Sequence, residues 1–212
     1  MSRLNEIFSH LTPCEILADV GCDHGYLAQK ALCNGVCKRV IISDISAPSL
    51  QKAIKLLSPF AEEDRVISLV SDGFKGYAVT PNPAIIAGMG GEEIIKILTS
   101  APFIVERLIL QPMKNVDKLR VFLTENGYKI ITDYVFKDGK FYDLIVCERG
   151  KDNLTQNEIT FGRTNLIERG SAFIERLKKE EKRITLLLPK LSGEVKKENE
   201  FSLSQIRDMI GN

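Results

Sequence analysis

No stretch of the sequence approaches the roughly 20 consecutive apolar residues that a membrane span needs, so no membrane partner is expected. An apolar signal segment is also missing from the start. With an odd number of cysteines, five, the expected setting is cytoplasmic and reducing, with free thiols and no disulfide framework. Charge of one sign is not in excess. The 29 Lys and Arg against 28 Asp and Glu leave a formal net charge of +1, so no bulk field drives the chain onto nucleic acid or lipid. Zinc ligands at finger spacing are lacking as well. Cys33 and Cys37 are four apart, but His10 and His24 offer no second pair, and no metal is expected. There is neither an internal repeat nor a low-complexity stretch. The remaining composition, 44% hydrophobic and 27% charged over 212 residues, suits one full domain with an appendage.

The chain opens with Leu4, Ile7, Phe8 and Leu11 on one helical stripe behind a possible cap at Ser2. Short β-branched runs then alternate with helical stretches. The strand candidates 15–20, 40–44, 66–70, 84–87 and 108–111 are continuously apolar, as parallel strands covered on both faces should be. Helices are expected around 26–33, 48–57, 91–99 and 116–126. That alternation implies right-handed βαβ units and a doubly wound α/β sheet. Two further strands, 128–135 and 141–147, flank Asp138-Gly139, a strong tight-turn signal, and so form an antiparallel hairpin. Five parallel strands followed by a hairpin is the programme of Rossmann-like class I methyltransferases; a dehydrogenase-type sheet would continue with parallel units. Beyond Gly150 the sequence becomes charged and helical. A domain boundary is placed there, giving a catalytic domain over 1–150 and a small helical, coiled-coil-like region over 151–212. Leu177, Ile184 and Leu191 recur every seven residues, Pro189 should end that helix, and 193–200 reads as a solvated connector to a short last helix.

The most informative segment is Asp19-Val20-Gly21-Cys22-Asp23-His24-Gly25-Tyr26-Leu27, where the first strand turns through glycines into a helix. Such a turn exposes backbone N–H groups at the sheet edge where open α/β folds bind ligands. A dinucleotide fingerprint, G-x-G-x-x-G, is absent. Asp23 stands where a diphosphate would need an uncharged approach, so Asp19 and Asp23 favour a cationic, nucleoside-bearing donor, S-adenosyl-L-methionine, over NAD. A glycine turn serving sheet geometry alone is the alternative. Asp44 ends the second strand, placed for ribose hydroxyls, and Asp72-Gly73 follows the third, placed for the adenine amine. Gly88-Met89-Gly90-Gly91 closes the fourth strand. No Asp/Asn-Pro-Pro-aromatic segment occurs there, and small residues suit a ring nitrogen that already holds a lone pair; the alternative is a plain helix start. Gln111-Pro112 ends the fifth strand, where Gln can read a base edge or simply terminate the strand. His24 is a candidate acid/base or a loop-fixing residue, and Tyr26 can stack on a base or fill the core. The basic run at Lys178, Lys179, Lys182 and Arg183, interleaved with glutamates, reads as a solvated ion-paired face or a phosphate-tracking surface.

On these residues, with Leu108-Ile109-Leu110-Gln111-Pro112 and Gly139-Lys140-Phe141-Tyr142-Asp143, the chain resembles the bacterial tRNA (adenine-22-N1)-methyltransferases. The likeness runs from Arg3-Leu4 to the helix near Leu191, with Met113 where many members have Asn. It implies a Rossmann-like domain using S-adenosyl-L-methionine, a helical C-terminal domain, tRNA as partner, and methylation of N1 of an adenine. Cofactor contacts implied in the first turn are Asp19, Gly21, Cys22, Asp23, His24, Gly25 and Leu27. Further along they are Asp44, Ile45, Asp72, Gly73, Gly88, Met89 and Gly90. The candidate catalytic residues are Asp23, His24, Tyr26 and Gln111, serving direct in-line transfer with no essential general base. A small-molecule methyltransferase and a non-catalytic cofactor or RNA-binding module are the alternatives.

Overall fold

The protein is described from a computed structural model over residues 2–211. Its first half runs α1 (Arg3–Ser9), β1 (Cys14–Val20), α2 (Tyr26–Cys33), β2 (Cys37–Asp44), α3 (Ala47–Ala61), β3 (Val66–Val70), β4 (Ala84–Met89) and α4 (Gly91–Thr99). There follow β5 (Arg107–Pro112), α5 (Val116–Glu125), β6 (Tyr128–Asp138), β7 (Lys140–Arg149), α6 (Gln156–Phe161) and α7 (Arg163–Glu168). The chain closes with α8 (Ser171–Leu187), a 3-10 turn (Leu188–Lys190) and α9 (Gly193–Gly211).

The seven strands order as β3-β2-β1-β4-β5-β7-β6. The first five are parallel, and β7 inserts antiparallel between β5 and β6. Strand order therefore reverses between β1 and β4, which opens a crevice at their carboxyl ends. Alternation along each strand explains the continuous apolar runs. Leu17, Ile42, Ile85 and Ile109 face one core with α1, α2 and α3, while Ala18, Ile41, Ile86 and Leu108 face the other with α4 and α5. Ser2 caps α1 as expected, its hydroxyl accepting the Asn5 N–H.

Two compact units emerge, Met1–Leu166 and Ile167–Asn212, so the division falls beyond the compositional change at Gly150. Charge rather than apolar periodicity keeps α6 and the start of α7 in the first unit. Arg120 Nε donates to Asp133 Oδ2 at 2.7 Å, with Arg120 2% exposed and Asp133 fully buried. Its Nη1 donates to the Ile159 carbonyl at 3.0 Å. Strand β6 is an edge, yet three of its N–H groups are taken by side chains: Ile130 donates to Asp152, Asp133 to Thr164 and Val135 to Asn165, at 2.9–3.0 Å.

In the second unit, α8 buries Phe173, Leu177 and Ile184, and α9 buries Leu203 and Ile206. The two helices contact each other, with Arg207 Nε 3.0 Å from Glu181 Oε1. Pro189 lies in the 3-10 turn that ends α8. The connector expected at 193–200 is instead the first half of α9. Its Glu- and Lys-rich sequence is that of an exposed helix face, with Lys196 and Glu200 3.9 Å apart one turn away from each other.

Candidate active site

The turn after β1 is stitched to β2 by backbone. The N–H groups of Gly21 and Cys22 both donate to the Ser43 carbonyl, at 2.8 and 3.0 Å. Asp44 continues the stitch with its side chain. One carboxylate oxygen accepts the Asp23 N–H at 3.1 Å and the other the Ser46 N–H at 2.8 Å, so one acid fixes both the turn and the start of α3. Gly21 has φ +71°, and a Cβ on it would stand 2.0 Å from Met89 Cε. The left-handed conformation strains any side chain there, and the end of the Met89 side chain would have to move to make room for one.

Around this turn lies a cavity of about 400 Å³, within the range of small-molecule sites. Its acidic walls are Asp19, Asp23, Asp44, Asp72 and Glu93. Asp19 is 4% exposed, and burial pushes its carboxyl up to about 7. The Ala28 N–H opposes that shift and the Asp44 charge adds to it. Asp23 and His24 form a pair at the mouth, Oδ2 to Nδ1 at 2.8 Å. The His24 ring is stacked on Tyr26 at 5.5 Å and 2°. Tyr26 is 51% exposed, so it forms a ledge and fills no core.

Of the residues expected from sequence, Gly21, Cys22, Leu27, Ile45, Gly73, Gly88 and Met89 line this cavity beside the acids, His24 and Tyr26. Asp72 lines it with one carboxylate oxygen held by Lys75 Nζ at 2.7 Å. Three expected residues stand elsewhere. Gly25 is the left-handed cap of α2, and Gly90 is the cap of α4. Gln111, read as a base-reading catalytic candidate or a plain strand terminator, does not line the cavity. Strand β5 continues through Pro112, so Gln111 is fully buried within it, and its amide donates to the Pro112 carbonyl at 3.1 Å. Among the lining residues not read as site residues from sequence are Glu93 of α4 and, from α1, Arg3 and Leu4. The apolar stripe of α1 signalled its docking, and nothing in it signalled a ligand.

A family model described as tRNA (adenine(22)-N(1))-methyltransferase matches residues 17–212. The chain belongs to that family. The tRNA (adenine(22)-N(1))-methyltransferase of Bacillus subtilis is 28% identical over 170 residues, 78% of this chain and 71% of that one. A Mycoplasma genitalium protein provisionally named a tRNA methyltransferase is 30% identical over 154 residues, 70% of this chain and 69% of its own. The Streptococcus pneumoniae protein Sp1610, solved in complex with S-adenosyl-L-methionine, superposes with TM-score 0.87 and 26% identity, covering 99% of this chain and all of its own. As in other tRNA (adenine(22)-N(1))-methyltransferases, the fold is a Rossmann-like methyltransferase sheet. Among the described residues, no helix is long and apolar enough to cross a membrane, and no three His, Cys, Asp or Glu side chains are grouped to hold a metal.

Proposed function

We propose that the cavity between the ends of β1 and β4 holds the methyl donor so that N1 of adenine 22 of tRNA attacks in line. The family supplies the reaction and the donor: methyl transfer from S-adenosyl-L-methionine to that nitrogen. The convergence of acids from three strand ends on one cavity carries the reading. They suit a ligand with an ammonium, a sulfonium and sugar hydroxyls, and they repel a diphosphate. When bound, the donor presents an electrophilic methyl group. Asp44 keeps a second lone pair on each oxygen after accepting its backbone N–H groups, enough to take the two ribose hydroxyls. Asp72 offers the adenine amine the carboxylate oxygen that Lys75 leaves free. Ile45, 73% exposed, gives the adenine ring an apolar face. Asp19 takes the ammonium, and Gly88 and Met89 leave the space where donor and base meet.

The attacking nitrogen brings its own lone pair, so no side chain has to remove a proton before transfer. Asp23 fixes His24, and the stacked His24 and Tyr26 rings form the ledge against which an unpaired adenine settles. The helical unit is read as a separate module for holding the tRNA. Unmodified tRNA with labelled donor, followed by nucleoside analysis, should yield N1-methyladenosine at position 22. His24→Ala is expected to lower kcat by about 10- to 100-fold with donor affinity intact, the loss of a positioning contact. A drop near 10⁴-fold would assign proton transfer to His24 instead.

Asp19 gives this reading a pH signature. Held neutral below about pH 7, it must ionise to receive an ammonium. Donor affinity is therefore expected to rise from about pH 6 to 7, by up to roughly tenfold per unit, and to level off above. Calorimetric titrations across that range should show the slope in the native protein and a flat line for Asp19→Asn.

A further inference from the structure

The loop between β5 and α5 is pinned across the turn that ends β4. The Met113 N–H donates to the Met89 carbonyl and the Gly91 N–H to the Lys114 carbonyl, each at 2.8 Å. Asn115 then takes a left-handed φ of +54° and starts α5 without a side-chain cap. These bonds lay the Lys114 side chain over Gly90, where a Cβ would stand 2.9 Å from its Cε. Gly90 follows directly on Gly88 and Met89, the part of the cavity wall assigned to the meeting of donor and base. The stem of Lys114 thus rests one residue beyond that wall, and the residue is exposed.

The lysines near this end of the sheet differ in what they hold. Lys75 Nζ is 2.7 Å from Asp72, and Lys118 Nζ is 2.5 Å from Glu92. Lys118 holds the Glu92 carboxyl below its usual range by hydrogen bond and charge, with Lys114 and Lys96 adding to the effect. Glu92 is therefore already matched, and Lys114 forms no ion pair among the described residues. Its ammonium is a spare cation next to a cavity walled by acids.

Those acids repel a polyanion. Yet N1 lies on the pairing edge of adenine, so the base must leave its stack to reach the donor. Turning a nucleotide out about its backbone carries its two flanking phosphates to the mouth of the site. We propose that Lys114 takes one of these phosphates and so fixes the tRNA backbone on the β4–α4 turn while the adenine enters beside Gly88 and Met89. This rests on the cavity being the place where donor and base meet. Such a contact carries no sequence information; it sets the register of the backbone, and with it the approach of N1 to the methyl group.

The test uses the full-length protein and unmodified tRNA assembled by ligation, with a neutral methylphosphonate linkage on the 5′ or the 3′ side of adenosine 22. With all-phosphate tRNA, Lys114→Ala is expected to lower kcat/KM on the order of tenfold and the salt slope by about one. Calorimetric affinity for S-adenosyl-L-methionine should not change. Lys114→Arg, which keeps the charge, should retain most of the activity. At one of the two linkages, neutralisation should cost the parent a similar factor and cost Lys114→Ala nothing further. Losses that multiply at both linkages would overturn the proposal, because Lys114 would then act on another group. A Lys114→Ala variant within about twofold of the parent would overturn it too. A parent protein that binds the donor but leaves adenosine 22 unmethylated in all-phosphate tRNA would instead overturn the reading beneath it.

Discussion

Arg120→Met is expected to lower the unfolding free energy by about 3–5 kcal/mol. The substitution keeps the length of the side chain and removes its charge. It leaves the Asp133 carboxylate fully buried without its guanidinium, and the Ile159 carbonyl without its donor. The Thr164 N–H to Asp133 Oδ1, at 3.0 Å, survives but satisfies one oxygen alone. At roughly 2–4 °C per kcal/mol for a chain of this size, the melting temperature should fall by about 6–20 °C. Replacing Asp133 by Asn in the same molecule removes the stranded charge and should return a large part of the loss. A single variant melting within about 2 °C of the parent would show that the pair does not brace the fold.

The largest functional loss is expected from Asp44→Ala. This carboxylate holds the Asp23 and Ser46 N–H groups, and it is the one acid placed both to shape the turn and to accept the two ribose hydroxyls. Charge-assisted hydrogen bonds are worth about 1.5–3 kcal/mol each, so two lost to the ligand weaken donor binding by about 10²- to 10⁴-fold. Titration with S-adenosylhomocysteine reads this directly, without dependence on turnover. Asp44→Asn keeps an acceptor for one N–H and should fall between the two. An affinity within about threefold of the parent for Asp44→Ala would remove the second strand end from the site.

Much of this architecture was legible because the physics that builds it is local. Continuous apolar runs marked strands β1 to β5, the Asp-Gly turn marked the hairpin, and acids at strand ends marked the crevice. Departures came where a distant partner decides. Arg3 belongs to the site because α1 docks on the hairpin through Glu6, His10 and Asp138, contacts that no periodicity encodes. Gln111 is buried because β5 lies between β4 and β7, with Gln111 opposite Ala87 of β4. Gly91 read as open space for substrate, yet a Cβ there would stand 2.3 Å from the Asn115 carbonyl, so its smallness serves the approach of the β5–α5 loop to α4. The helical 193–200 looked like linker because an exposed helix face and a solvated connector share a composition. The boundary fell later than Gly150 because Arg120, Asp133, Asp152 and Arg163 tie α6 and α7 to the sheet by charge.

The side chains of Asp152, Thr164 and Asn165 have a role beyond bracing. By occupying the N–H groups of Ile130, Asp133 and Val135 they obstruct that flank of the sheet as a template for a foreign strand. On the opposite flank no side chain among the described residues is hydrogen-bonded to the β3 backbone, and Val70 there is open to solvent. Intermolecular sheet growth, in a crowded cell or on partial unfolding, would therefore begin at β3, and a lysine placed at Val70 is the natural gatekeeper.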